Sequence, residues 1–484
     1  MMVDLKTGTQ RIILLFLCLA FHAVFLNPVF GASLDFSQAL NLMKKNNNTL
    51  SAARLEEQQA TYEKYAARSL FLPRVSISGL YTQMDDPLKL ELNEVREAII
   101  GANRITATYL SQSPAVGNAV AAAINSRLPS FEKQMAGDHF WRAGIDATWP
   151  IFTGGRILAA NRAADEKLKA AKEKTRTTHD ALVSELVRFY FGLQLAMDVE
   201  AVRRQVVEAM GIHYEHARKM EENGMIARVE RLHAEVALAE AKRQHLKSVH
   251  DRELSQTALT RLLSSSEPVA PVSPLFINSA VEPLSAFREQ ARMRNPVLGE
   301  IAARKGMAHQ GVLKEIGTYA PQVALFGTRE IDNCNIDIPT PKWAVGVSVN
   351  FMLFDGLARY HKVQAAKSQE RRVEEIASDA RDKIDTLVLL QYQELTKAGE
   401  RYETLKTATA LSQEYLRIRK RAFDEGMATS LDVVDAELNA SKIKIEKLQA
   451  AYEYDVALAR LLEASGQSDL YDAYRKNGHV EVSH

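Results

Sequence analysis

Hydrophobic positions along most of this chain recur at steps of three and four residues, which is the spacing of one face of an α-helix. The two clearest runs are Leu182, Leu186, Phe189, Leu193 and Ala196, and Ile384, Val388, Leu395 and Ala398. Proline is absent between Ile151 and Glu267 and again after Pro341. Because a proline costs about 3 kcal/mol in a helix interior, these two tracts predict very long helices.

Four shorter stretches alternate apolar with small or polar residues, which is the period of a β-strand. They lie at about residues 73–82, 141–151, 322–328 and 342–353. Arg142, Asp146, Ser348 and Asn350 lie on the polar face. Strands of this kind are typical of a membrane β-barrel, whose outer face contacts lipid and whose inner face lines a water-filled lumen. A soluble sheet packed on helices is the alternative. About eight strands are needed to close a barrel, so closure requires several copies, and three would supply twelve strands.

The order of these elements occurs twice, which indicates an internal repeat. Phe152, Gly154 and Gly224-Met225 each recur 202 residues later, as Phe354, Gly356 and Gly426-Met427. The first repeat is predicted at 33–266, with an insertion at about 84–139 and a helical hairpin at about 155–265. A Pro-rich linker at 267–283 separates it from the second repeat at 284–466, which has a hairpin at about 357–463. A C-terminal tail follows at 467–484.

Element lengths predict how the helices pair. Each long helix has nearly 70 residues, or about 100 Å, and its return helix has about half that length. Leu34–Leu72 and Leu284–Tyr319 are each predicted as one continuous helix that supplies another half. Each long helix can then pair with two short ones stacked end to end, which gives a rod with all four strands at one end.

Residues 1–32 have the pattern of a secretory signal peptide, with Lys6 and Arg11 before an apolar run and small residues at Gly31 and Ala32. A short membrane anchor is the alternative. The 61 Lys and Arg residues balance 60 Asp and Glu residues, so nothing indicates a nucleic-acid partner. Two cysteines, Cys18 and Cys334, exclude a disulfide framework and a thiolate zinc site. Cys334 is expected as an exposed thiol between the third and fourth strands.

Three motifs carry a resemblance to a known family. Strand-to-helix junctions are Pro150-Ile151-Phe152-Thr153-Gly154-Gly155 and Leu353-Phe354-Asp355-Gly356, and the second helical turn is Glu425-Gly426-Met427-Ala428-Thr429-Ser430-Leu431-Asp432-Val433-Val434-Asp435-Ala436. That turn is similar to the G-x-x-T-x-x-D-V-x-D-A turn of the outer-membrane efflux protein (TolC) family. Asn295-Pro296-Val297-Leu298 also resembles a family motif. The resemblance covers essentially the whole mature chain.

The resemblance implies a mainly α fold with a membrane β-barrel. Two tandem repeats would give long antiparallel coiled-coil helices, an α-barrel, and four strands per protomer that close as a 12-stranded barrel in a homotrimer. Such a protein is a passive duct of the outer membrane with a long periplasmic portion, not an enzyme, and needs no cofactor or metal. Its implied partners are a periplasmic adaptor protein, an inner-membrane transporter and outer-membrane lipid. Efflux and type I secretion are the implied functions.

The resemblance also assigns site residues. Those of the tunnel-tip constriction are Asp432, Asp435, Glu230 and Arg228. Those of the adaptor docking turns are Asn223, Gly224, Met225, Glu425, Gly426, Met427 and Thr429. Those of the strand-helix junctions are Pro150, Phe152, Gly154, Phe354 and Gly356. The sequence departs from the family at Ala428, where the best-known members have a gating arginine, and at His233, the counterpart of Asp435.

Simpler interpretations accompany these assignments. Gly224 and Gly426 have the pattern of glycines that end helices, and Asp432 has the spacing of a capping box with Thr429. The His213-Glu215-His216 cluster favours a solvated helix face over a metal site. The insertion at 84–139 is expected as a partly ordered cap at the extracellular mouth. The alternative function is a structural coiled-coil scaffold in the periplasm or at the cell surface.

Overall fold

The computed structural model describes residues 32–130, 132–278, 280–337, 341–477 and 480–481. The predicted signal peptide lies outside the described residues except for Ala32, as does part of the predicted tail. The helices are α1 (Phe36–Asn46), α2 (Asn48–Arg68), α3 (Asn93–Ser111), α4 (Pro114–Arg127), α5 (Arg156–Glu222), α6 (Arg228–Leu262), α7 (Leu284–Arg294), α8 (Pro296–Ile316), α9 (Ala358–Asp424), α10 (Ser430–Ala464) and α11 (Tyr471–Lys476). The strands are β1 (Ala32–Leu34), β2 (Arg74–Gln83), β3 (Leu88–Glu91), β4 (Glu132–Phe152), β5 (Val269–Pro271), β6 (Phe276–Ile277), β7 (Gln322–Ile336), β8 (Trp343–Asn350) and β9 (Val480–Glu481).

The chain forms two compact units, and each contains segments of both repeats. The helical unit comprises residues up to 62, 165–307 and from 370 onwards, and the sheet unit comprises 63–164 and 308–369. The turns between α5 and α6 and between α9 and α10 belong to the helical unit, whereas β2, β3, β4, β7 and β8 belong to the sheet unit. Among the described residues, no helix combines the length and the apolar composition that crossing a membrane requires.

Both repeats contain the same pair of helices. α5 and α9 have 67 residues each, and α6 and α10 have 35 each. A very long helix followed by a return helix of half its length is thus present twice, as the absence of proline predicts.

The two predicted continuous helices, Leu34–Leu72 and Leu284–Tyr319, are wrong, because each is broken at an asparagine. Asn47 separates α1 from α2, and its side-chain oxygen accepts hydrogen bonds from the first N–H groups of α2 at 2.9 and 3.1 Å. Asn295 separates α7 from α8 in the same way, and its side-chain oxygen accepts a hydrogen bond from the Val297 N–H at 2.9 Å. The amide nitrogen of each donates to a carbonyl at the end of a return helix, 3.1 Å away in α6 and 2.8 Å away in α10. These side chains cap one helix start and one helix end together.

An aromatic cluster occupies the centre of the helical unit. Its members are Phe36, Tyr190, Phe191, Phe276 and Tyr471, all buried, with neighbouring ring centroids 5.1 to 6.3 Å apart. The Tyr190 hydroxyl donates to the carbonyl of Leu34 at 2.7 Å and accepts from the backbone N–H of Ser273 at 3.0 Å. The cluster therefore joins the start of the chain, a long helix, the segment between the repeats and the C-terminal region.

The described parts of the predicted linker at 267–283 and of the predicted tail at 467–484 contribute buried residues to this core. In the linker, β5 pairs with β1 in parallel and β6 pairs with β9 in antiparallel fashion. In the tail, α11 begins at the buried Tyr471. Phe276 of the first segment and Tyr471 of the second complete the aromatic cluster.

The sheet unit contains one antiparallel sheet in the order β2-β4-β7-β8, and β3 pairs with the far end of β4. Its strands differ in length from the prediction. β4 begins at Glu132, inside the predicted insertion, β7 continues to Ile336 rather than 328, and β8 ends at Asn350 rather than 353. Cys334 consequently lies within β7, and not in the connection to β8, although it is exposed as expected.

The two faces of the sheet differ as the alternation predicts. Cross-strand register places apolar side chains on one face: Val75, Ile77, Tyr81, Ile145, Trp149, Leu325, Val345, Val347 and Val349. Register places Ser78, Asp146, Thr328 and Ser348 on the other, where the Ser78 hydroxyl donates to the Asp146 carboxylate at 2.9 Å. The large side chains of the apolar face are exposed in the single chain, with the exception of Ile145, which is half-buried.

The insertion between β3 and β4 is a helical hairpin of α3 and α4, which agrees with its predicted helical character. The two helices touch where Gly117 faces Thr108, since a Cβ on that glycine would lie 1.8 Å from the threonine Oγ1. Arg96 joins the hairpin's ends, because its Nε donates to the Leu128 carbonyl at 2.9 Å.

Candidate functional site

The two turns that end the long helices have the same backbone geometry. Gly224 and Gly426 have φ values of +71° and +73°, in the left-handed region that glycine adopts without strain. The next residue in each turn, Met225 or Met427, donates its N–H to a carbonyl five residues back at 2.8 Å. This pattern closes a helix C-terminus, so the predicted helix-ending role of both glycines is confirmed.

The side chains at the two turns are freely accessible. Met225 and Met427 are 67% and 72% exposed. Asn223 and Glu425 are also exposed, and the Asn223 amide donates to the Lys219 carbonyl at 2.8 Å. Each of the two turns therefore presents one exposed methionine.

The return helices begin differently in the two repeats. Thr429 caps α10, and its hydroxyl accepts from the Asp432 N–H at 3.2 Å while the Asp432 carboxylate accepts from the Thr429 N–H at 2.9 Å. The predicted capping box is confirmed. Hydrogen bonds from the Thr429 N–H and hydroxyl, with Arg419 nearby, hold the pKa of Asp432 below its usual range. The equivalent Ala227 gives α6 no side-chain cap.

Glu230, the first-repeat counterpart of Asp432, reaches across to the second hairpin. Its carboxylate accepts a hydrogen bond from the backbone N–H of Ser430 at 2.9 Å. Ser430 is the first residue of α10, so this carboxylate satisfies one of the free N–H groups of that helix. Glu230 therefore connects the two hairpins within one chain.

His213 is buried, so the prediction of a solvated helix face is wrong for this residue. Only 7% of it is exposed, its ring lies 4.9 Å from the Phe423 ring, and its Nε2 is 2.8 Å from the Ser430 hydroxyl. Burial lowers the pKa of the imidazole, and nearby His216 and Lys420 lower it further, against an opposing effect of Asp424. The sequence carried a signal for this burial, because Met210, His213, Ala217 and Met220 share one helical face.

The other two residues predicted for the constriction, Asp435 and Arg228, are exposed. Neither makes a side-chain hydrogen bond or ion pair with any residue that the structure describes. The structure thus brings Glu230 to the start of α10 beside the Thr429–Asp432 capping box, and leaves Asp435 and Arg228 free for solvent or another chain.

The two strand-helix junctions are related by the repeat but packed differently. Gly154 and Gly356 have φ values of +63° and +67°. A Cβ on Gly154 would lie 2.3 Å from the Gly317 carbonyl oxygen, whereas a Cβ on Gly356 would meet no atom within 4 Å. Both glycines therefore adopt the positive φ that the turn between strand and helix requires, and Gly154 also allows its backbone to contact that of Gly317.

The aromatic and proline residues of these junctions occupy different places. Pro150 and Phe152 lie in β4, opposite Ala324 and Val323 of β7. Phe354 follows the end of β8 and is exposed. The second junction is held instead by Asp355, whose carboxylate accepts from the Arg359 side chain at 3.0 Å.

Comparison with known proteins begins with a family model described as outer membrane efflux protein, which matches residues 39–265 and 288–467. Among relatives, the chain is 22% identical over 316 residues to the alkaline protease secretion protein AprF of Pseudomonas aeruginosa, covering 62% of this chain and 64% of that protein. It is 26% identical over 271 residues to protein CyaE of Bordetella pertussis, covering 54% and 56%. The chain thus aligns with less than two thirds of the length of both.

A solved structure extends the likeness to nearly the whole fold. The CmeC outer membrane channel of Campylobacter jejuni superposes with a TM-score of 0.69 at 16% identity, over 92% of this chain and 90% of that one. This likeness confirms the predicted mainly helical fold with its set of β-strands, whereas the closed 12-stranded barrel stays a prediction.

Proposed function

Because the chain belongs to the outer membrane efflux protein family, we propose that three copies form a passive channel that carries substrates from an inner-membrane transporter, across the periplasm, to the exterior. Membership of this family places the protein in the outer membrane and among channels rather than enzymes. Efflux of small molecules and type I secretion of proteins both fit such a channel, and the similarity to AprF supports the second.

The observation that carries the proposal is the sheet with one exposed apolar face and two open edges. β2 and β8 form the edges, and each strand runs antiparallel to its neighbour, so β2 and β8 run in opposite directions. β8 of one copy can therefore pair antiparallel with β2 of the next. Three copies give twelve strands, enough to close a barrel whose apolar face meets lipid and whose polar face lines the lumen. A coiled-coil scaffold would leave that apolar face without a function.

Fractionation and conductance test the proposal together. Purified protein from outer membranes is expected to run as a heat-sensitive trimer and to conduct ions in planar bilayers. Protein recovered only from the soluble periplasm, without conductance, would support the scaffold instead.

We propose that the tip of the channel selects for cations through Asp435, which in a trimer would occur three times around one axis. Asp435→Asn is expected to reduce cation-over-anion selectivity in planar bilayers, because each trimer loses three negative charges. Asp382→Asn, an exposed carboxylate on α9 away from the turns, is the matched control and is expected to change nothing. Equal selectivity in all three proteins would remove Asp435 from the constriction.

We propose that the periplasmic adaptor docks on the two turns, whose exposed methionines offer apolar contacts. Met427→Glu is expected to weaken adaptor binding about tenfold, which corresponds to ~1.4 kcal/mol. The measurement is titration of the purified trimer with the adaptor of its own system. Leu411→Glu, at an equally exposed position on α9, should leave the affinity unchanged. If both variants bind as the unmodified protein does, the adaptor contacts another surface.

A further inference from the structure

The first helical hairpin holds the start of α10 at two points. His213 of α5 lies 2.8 Å from the Ser430 hydroxyl through its Nε2, and Glu230 of α6 accepts the Ser430 backbone N–H at 2.9 Å. Ser430 itself is fully buried. One residue of the second hairpin is therefore bonded by both helices of the first, close to the turns where a channel of this kind would narrow.

This connection occurs once per chain and has no counterpart in the other half of the repeat. At the offset of 202 residues, His213 corresponds to Tyr415 and Ser430 corresponds to Arg228. Tyr415 is exposed and contacts Arg419, whose Nε lies 2.9 Å from its hydroxyl. The two repeats thus have the same backbone at the turns, but the buried polar contact between His213 and Ser430 has no equivalent between Tyr415 and Arg228.

The surroundings of His213 favour a neutral ring. The imidazole packs against the Phe423 ring, and His216 and Lys420 are the nearest other basic groups. The N-terminus of α10 adds a partial positive charge. Several groups oppose these effects. Asp424 lies 3.5 Å from His216, the Glu230 carboxylate is bonded to the Ser430 N–H, and Glu437 pairs with Lys420 at 2.6 Å. A hydrogen bond to the Ser430 backbone also raises the pKa of His213. A protonated ring here would be a buried cation beside a lysine and a helix N-terminus, which is unfavourable.

We propose that His213 is the gate residue of this channel: the neutral ring packs the first hairpin against the start of the second, and protonation, which places a cation in this buried contact, loosens the packing and opens the tip. The inference rests on the proposed channel function and adds its regulation. The stabilising effect of the neutral ring is complete above the usual pKa range of histidine and is lost as pH falls through the lowered pKa of the folded state. Mild acid in the periplasm therefore opens the channel.

The test measures conductance of the purified full-length trimer in planar bilayers over a pH series from about 7.5 to about 4.5. Conductance is expected to rise about threefold or more as the pH falls through the lowered pKa of the His213 ring. His213→Gln, which keeps a hydrogen-bonding side chain but does not titrate, should abolish the rise. His216→Gln removes the more exposed histidine one turn away and should retain it.

Ser430→Ala provides an independent variant, because it removes the partner hydroxyl and leaves the histidine. It should raise conductance at neutral pH and diminish the response to acid, even if His213→Gln fails to assemble. A full acid response in His213→Gln, or unchanged neutral conductance in Ser430→Ala, would overturn the gate role. Absence of any conductance from the unmodified trimer would instead contradict the channel function itself.

Discussion

Replacing Gly154 with alanine is expected to destabilise the sheet unit strongly. The added Cβ would lie 2.3 Å from the Gly317 carbonyl oxygen and 2.6 Å from the Ala320 Cβ, so one backbone must move. The residue also has a φ of +63°, which costs an alanine about 1–2 kcal/mol by itself. We expect a total loss above ~2 kcal/mol in the free energy of unfolding, measured as a lower melting temperature in detergent by circular dichroism.

The repeat offers a matched control at Gly356, which has nearly the same φ but open space around its Cβ position. Gly356→Ala should lower the free energy of unfolding only by the strain of a positive φ at alanine, which is about 1–2 kcal/mol. The difference between the two variants therefore measures the contact between the first junction and Gly317. Equal melting temperatures would mean that this contact is absent in the assembled protein.

Replacing Tyr471 with alanine is expected to lower the free energy of unfolding by about 3–5 kcal/mol, because it leaves a cavity where a buried aromatic ring packs in the helical unit. Tyr471 is 1% exposed and contacts Phe36, Phe191 and Phe276. Thermal unfolding of the purified trimer is the measurement. Leu470→Ala, one residue earlier and 41% exposed, should cost far less.

A third substitution at this position isolates the hydroxyl group. The Tyr471 hydroxyl is buried and has no hydrogen-bond partner among the described residues. Tyr471→Phe keeps the ring and removes that group, so it should leave the melting temperature unchanged or raise it. If Tyr471→Ala melted like the unmodified protein, the Tyr471 ring would not contribute to the core of the helical unit.

The long helices and the four-stranded sheet could be predicted from the sequence because each depends on a local pattern. Two long tracts without proline allow helices of 67 residues, and alternation of the kind seen around Val345 and Val347 occurs only in strands with two different faces. The exact strand ends were less predictable, because beyond Arg142 and Thr328 alternation weakens and pairing with a neighbouring strand decides where β4 and β7 continue.

The errors concern residues whose partners are distant in sequence. Asn47 lies within a helical pattern, and the α6 carbonyl that it binds helps to explain why the helix breaks there. The break at Asn295 has a local signal as well, because Pro296 follows it and disfavours a helical conformation of the residue before it. The core position of Tyr471 could not be predicted, because its partner Phe36 is more than 400 residues away. In contrast, the burial of His213 has a local signal, because this residue follows the helical spacing of its buried neighbours Met210 and Ala217.

The central claim is that three copies close one barrel by pairing β8 of each chain with β2 of the next. It is tested most directly by disulfide formation in outer membranes between a cysteine at Ile77 in β2 and cysteines placed in turn at Val345, Val347 and Val349 in β8, with Cys334 replaced by serine. All four positions share the apolar face. At least one pairing should give a covalent species of three chains on a non-reducing gel. Only monomers from every pairing would contradict the account.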